Sequence, residues 1–86
     1  MDNYDNGNWS VYLLQCSDLT YYCGSTNNLD KRIIKHNTGK GAKYTRARLP
    51  VTLLTYVGGL TKSQALILEA KVKKQKRSEK FDNFCF

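Results

Sequence analysis

Residues 9–37, WSVYLLQCSDLTYYCGSTNNLDKRIIKHN, decide the reading of this chain. Trp9–Cys16 has strand length and is rich in β-branched and aromatic side chains. Ser17-Asp18-Leu19 is a turn candidate, because Ser and Asp bond their own backbone. Thr20–Ser25 then reads as the returning strand of a hairpin. Gly24 inside that strand marks a place where another backbone or a ligand comes close. Asn27 and Asn28 are caps for a helix from Leu29 to about Asn37, stopped by Gly39. The stretch therefore predicts strand, turn, strand, helix.

The remainder extends that pattern. Gly39–Leu49 has no period and reads as a loop. Val51–Val57 follows Pro50 as a third strand, with Gly58-Gly59 as its end. Thr61 opens a second helix through a capping box with Gln64, running to about Lys76. Ser78 is read as the cap of a last short helix, Glu79–Phe84. The order ββαβαα predicts an α+β domain with a three-stranded, mainly antiparallel sheet flanked by helices. Residues 1–8 have no apolar periodicity and are expected to be a disordered leader, leaving 9–86 as one domain.

Charge and cysteine content narrow the partners. The 86 residues carry 14 basic and 7 acidic groups, net +7. Two of the acids, Asp2 and Asp5, lie in the leader, so the remainder carries 14 − 5 = +9. A small domain does not need that self-repulsion to fold, which points to an anionic partner. No apolar run approaches the ~20 residues that span a bilayer, and no signal-peptide pattern is visible, so an intracellular, cytoplasmic or nuclear, non-secreted protein is expected. Cys16, Cys23 and Cys85 show no metal-ligand spacing and read as reduced thiols.

Several residues suggest chemistry. Tyr12 and Tyr22 stand on neighbouring predicted strands, and Arg32 and His36 stand at i and i+4 on the next helix. On the second helix, Ala65, Leu66, Glu69, Val72 and Lys76 are spaced as one stripe. Glu69 is then a carboxylate in an apolar face, which has to meet a cation or a metal. Taken singly, each has a plain structural explanation: half-buried strand tyrosines, a solvated arginine, a surface histidine, a structural ion pair. Lys31, Arg32, Lys35, Lys40, Lys43, Arg46 and Arg48 form a basic run without an acid, interrupted by Tyr44, which suits a phosphate backbone and a stacked base.

The stretches VYLLQC, YCGSTNNLDKRIIKHNTGKGAKYTR and LEAKVKK resemble the GIY-YIG nuclease family, in its small stand-alone form, over residues 9 to about 80. The triplets here are Ser10-Val11-Tyr12 and Tyr22-Cys23-Gly24, so Ser10 replaces the first glycine and Cys23 the isoleucine. Ser25 stands where some relatives have lysine. The resemblance implies a metal-dependent endonuclease cutting phosphodiester bonds, with Mg²⁺ or Mn²⁺ held by Glu69 and with Tyr12, Tyr22, Arg32 and His36 as catalytic residues. Which tyrosine is the base stays open. The expected substrate is DNA selected by structure (branched, flap or single-stranded), because no appended reader domain is visible. Two alternatives are a non-catalytic nucleic-acid binding module and a subunit active only on a protein partner. For the latter, the C-terminal tail Phe81, Phe84, Cys85 and Phe86 would be the docking surface, the alternative being that it packs on the domain's own core.

Overall fold

A computed structural model of the chain describes residues 7–74. Two strands, β1 (Trp9–Gln15) and β2 (Tyr21–Thr26), are followed by helix α1 (Leu29–Asn37) and a four-residue helix α2 (Lys43–Arg46). Strand β3 (Thr52–Leu60) and helix α3 (Lys62–Lys73) complete the fold. The sheet order is β2-β1-β3, antiparallel throughout, so β1 is central. This is the α+β class expected. The predicted helix Glu79–Phe84, the aromatic tail and Lys76 lie outside the described residues.

The β1–β2 hairpin closes through a short turn in which Leu19 adopts a positive φ of 67°. The Asp18 carboxylate accepts hydrogen bonds from both the backbone N–H and the hydroxyl of Thr20 and so braces that turn. Alternation along β1 then divides the core. Val11 and Leu13 join Cys23, Ala65 and Val72 under α3. Tyr12, Leu14 and Cys16 join Val51, Leu29 and Ile33 on the α1 side. The sheet is thus covered on both faces by helices from different parts of the chain.

Three expectations are corrected. Gly58-Gly59 does not end β3. The register jumps from Val11↔Val57 to Trp9↔Leu60, and Gly59 takes φ +71°. This is a bulge that glycine's left-handed freedom permits, and the strand continues beyond it. The 39–49 segment is not all loop, because Lys43–Arg46 forms a helical turn. Leu66 does not lie on the buried stripe of α3. It is 50% exposed, and the inward positions are Ala65, Leu68, Glu69 and Val72.

Caps set the helices where the sequence placed them. The Asn28 side chain accepts from the Lys31 N–H at 3.1 Å, and Thr61 with Gln64 forms the reciprocal capping box. Helix α1 ends in a Schellman turn. The Gly39 N–H donates to His36 C=O and the Lys40 N–H to Lys35 C=O, both at 3.0 Å, with Gly39 at φ +80°. That turn sends the chain back across the end of α1. The Asn37 amide bonds both backbone groups of Val51, tying the start of β3 to the same place. No helix among the described residues is long and apolar enough to cross a membrane.

Candidate active site

Tyr12 pairs with Gly24 across the β1–β2 ladder, and its ring lies over that glycine. A Cβ on residue 24 would overlap the Tyr12 hydroxyl and Cζ. The close approach expected at Gly24 is therefore a side chain from the neighbouring strand. Gly24→Ala is expected to lower stability by about 1–3 kcal/mol, because the buried ring has to move. A urea midpoint equal to that of the wild type would refute this account of the glycine.

Packed against Gly24, the Tyr12 ring delivers its hydroxyl to α1. The hydroxyl is 2.9 Å from His36 Nε2, and Arg32 Nε donates to it at 3.3 Å. His36 Nδ1 lies 2.8 Å from Thr45 Oγ1, and the Thr45 hydroxyl donates to Ala42 C=O at 3.0 Å. Tyr12, His36 and Thr45 have no exposed surface. Gly41 permits this closure, since a Cβ there would overlap the His36 ring. Burial, aided by the Arg32 charge, lowers the His36 pKa to about 4, so the imidazole is neutral at neutral pH. Burial also raises the Tyr12 phenol, outweighing the Arg32 hydrogen bond.

Tyr22 occupies a different setting. It is half-buried on the edge strand β2 and on the same face as Tyr12. Its ring meets His36 edge-on at 5.4 Å and stacks on Tyr44 at 6.1 Å. The Arg32 guanidinium reaches Tyr22 as well as Tyr12, and these two contacts raise its pKa further. Lys73 Nζ stands 5.6 Å from the Tyr22 ring centroid.

Glu69 comes to this edge from the opposite face of the sheet. The Ser25 hydroxyl donates to its Oε1 at 2.5 Å, and Lys73 Nζ pairs with Oε2 at 2.7 Å. Its cation is therefore a lysine one turn along the same helix. That contact raises the Lys73 pKa, which keeps the ammonium charged. The charges of Glu69 and Tyr22 both act on Tyr12, so the carboxylate, both phenols and Arg32 share one electrostatic neighbourhood. Among the described residues no three His, Cys, Asp or Glu side chains cluster as metal ligands. A single carboxylate fits Mg²⁺ or Mn²⁺, which keep most of their shell as water and phosphate oxygen, and does not fit zinc.

The basic residues are distributed around this centre. Lys31, Arg32 and Lys35 line an open pocket of about 240 Å³ with Thr26, Asn27 and Asn28 at the start of α1. Lys40, Lys43 and Arg46 are exposed. Arg48 is already engaged: its guanidinium lies 4.0 Å above the Tyr44 ring, pairs with Asp18 at 3.0 Å and donates to Tyr44 C=O. The Tyr44 ring thus meets both Tyr22 and Arg48. Two contacting residues escape the sequence reading of the site, Thr45 and Lys73, and Ser25 is marked there only by its place after the second triplet. Lys73 had a visible signal, its i+4 spacing from Glu69. Thr45 had none, because its role depends on a chain reversal.

The GIY-YIG catalytic domain model matches residues 8–82. A UPF0213 protein of Streptococcus pneumoniae is 49% identical over 70 residues, covering 81% of this chain and 71% of the relative. The UPF0213 protein YsiG of Lactococcus lactis is 53% identical over 73 residues, covering 79% and 70%. Among solved structures, the NMR structure of the UPF0213 protein BH0048 from Bacillus halodurans superposes with a TM-score of 0.55 at 42% identity, covering 86% of this chain and 79% of that one. The protein EF2693 from E. faecalis gives 0.59 at 36% identity, with 95% and 85% covered. By the extent of the domain match and the identity of these relatives, the chain belongs to the GIY-YIG catalytic domain family, a membership that implies nuclease activity.

Proposed function

We propose that this chain is a divalent-metal-dependent endonuclease that hydrolyses DNA phosphodiester bonds, selecting its substrate by structure. The observation that carries this reading is the meeting of Tyr22, Arg32, Lys73 and Glu69 at the β2 edge, with two cations against one half-buried phenol. In hydrolysis a water oxygen forms a new bond to phosphorus, the bond to the leaving oxygen breaks, and the water loses a proton. Tyr22 takes that proton on its oxygen and passes its own hydroxyl proton to solvent. Tyr12 is unsuited to that step, since its hydroxyl is buried and bonded to His36 and Arg32.

Arg32 holds the non-bridging oxygens, a task suited to its planar donor fork. Glu69 holds a Mg²⁺ or Mn²⁺ ion, oriented by Ser25. When bound, that ion supplies charge neutralisation and polarises the leaving oxygen. Lys31, Lys35, Lys40, Lys43 and Arg46 carry the flanking phosphates. Those contacts give affinity and salt dependence but no base recognition, which agrees with selection by shape.

The test is a panel of branched, flap, single-stranded and duplex DNAs incubated with Mg²⁺ or Mn²⁺. The wild type is expected to cut at least one of them, and Tyr22→Phe to cut it about 10²–10⁴-fold more slowly. Binding without cleavage across the whole panel would overturn the nuclease reading in favour of a binding module. Equal rates for Tyr22→Phe would remove the tyrosine from its role.

A further inference from the structure

The hydrogen-bond chain behind Arg32 has a fixed direction, and that direction is set at its far end. The Thr45 hydroxyl has one proton, which goes to Ala42 C=O. Thr45 Oγ1 is therefore an acceptor toward His36, so Nδ1 carries the imidazole proton and Nε2 is bare. The Tyr12 hydroxyl then donates to Nε2, which leaves its oxygen lone pairs for Arg32 Nε–H. The opposite tautomer would aim Nε2–H and Arg32 Nε–H at the same oxygen. The buried Tyr12 proton would then have no acceptor in the chain, an arrangement that buried polar groups avoid.

We infer that Thr45 is a positioning residue. By locking the His36 tautomer it orients the Tyr12 hydroxyl, and through it aligns the Arg32 guanidinium on the phosphate. This inference rests on the nuclease reading for its consequence and on the buried geometry alone for its lock. Two further observations support it. Thr45 is wholly buried on a helix too short to form part of the core by itself, and Gly41 removes the side chain that would keep that helix off His36. The charged and titratable groups facing His36 are Arg32 on α1, Tyr12 on β1 and Tyr22 on β2. None of them supplies an acceptor for Nδ1–H.

The experiment combines ¹⁵N NMR of the His36 imidazole with cleavage kinetics. In the wild type the proton is expected on Nδ1. Thr45→Val keeps the shape but removes the acceptor, so the proton is expected to shift to Nε2. There kcat should fall about 10–100-fold with KM little changed, the range typical of partners that orient an active group from behind. Thr45→Ser is expected to restore both tautomer and rate. A wild-type imidazole protonated on Nε2 overturns the inference, whatever the variants do and whether or not they fold. So does a Thr45→Val protein that keeps the wild-type tautomer and rate. A wild type with the Nδ1 proton that leaves every DNA uncut would sink the nuclease reading and leave the lock standing.

Discussion

Arg32→Ala and Glu69→Gln are each expected to slow DNA cleavage by about 10²–10³-fold or more at saturating Mg²⁺, with the fold retained. Among the described residues Arg32 is the charged group that reaches both phenols, and its loss removes the fork that would hold the phosphoryl oxygens. Arg32→Lys separates charge from geometry. A lysine offers a point charge but cannot bond Tyr12 and grip a phosphate together, so most of the loss should persist. Glu69→Gln keeps an acceptor for the Ser25 hydroxyl and leaves only the half-exposed Lys73 unpaired. With Lys73 half-exposed, water can take over its ammonium, so the stability loss should be small beside the loss of rate. Thermal melts, Mn²⁺ titration and cleavage rates on the same preparations separate these effects. Full activity in Glu69→Gln would remove the carboxylate from metal binding.

The location of the site explains how a domain this small can present it. Strand β2 is an edge, with α1 on one face and α3 on the other. Tyr22 and Arg32 reach that edge from one face, and Ser25, Glu69 and Lys73 from the other. Among the described residues no strand pairs with the outer side of β2, so in the proposed reaction a nucleic-acid backbone would meet that edge directly, with no groove between domains. The lysines of α1 and of the following loop extend the same positive surface beyond the tyrosines.

What was legible in the sequence followed range along the chain. The hairpin, the Asn28 cap, the Gly39 stop and the Thr61 capping box are local signals, and the structure places each where the residues indicated. Misreadings arose where distant segments decide. Gly59 looked like a strand end because a bulge can be recognised only against the partner strand. Leu66 looked inward because a helical stripe fixes spacing but not which edge of it meets the sheet. His36 is the sharpest case. At the exposed end of an isolated helix it reads as a surface or reactive histidine, and only the return of Gly41 and Thr45 encloses it fully. The triplet tyrosines and Arg32 were visible as residues, whereas the different environments of Tyr12 and Tyr22 depend on the pairing of Tyr12 with Gly24.

That enclosure makes His36 an acid-sensitive point of the fold. Its ordinary value of 6.5 falls to about 4 in the folded protein, because burial and the Arg32 charge disfavour the imidazolium. A base with a depressed folded pKa binds its proton more readily when unfolded. The stability it protects is therefore complete above pH 6.5 and is lost as pH falls from 6.5 toward 4. Two and a half pH units at 1.36 kcal/mol each give a loss of about 3 kcal/mol across that window. This is a large part of the 5–15 kcal/mol typical of a folded domain. Urea midpoints measured between pH 7.5 and 4.5 should fall steeply in the wild type. His36→Gln, which cannot take up a proton, should start lower at pH 7.5 and run nearly flat until carboxylates begin to titrate. The Asp18 pKa is lowered by the Thr20 hydroxyl, so its own contribution is lost on the acid side of this window. The difference between the two curves isolates the imidazole, and parallel curves would show that His36 is not held in the neutral, enclosed state described here.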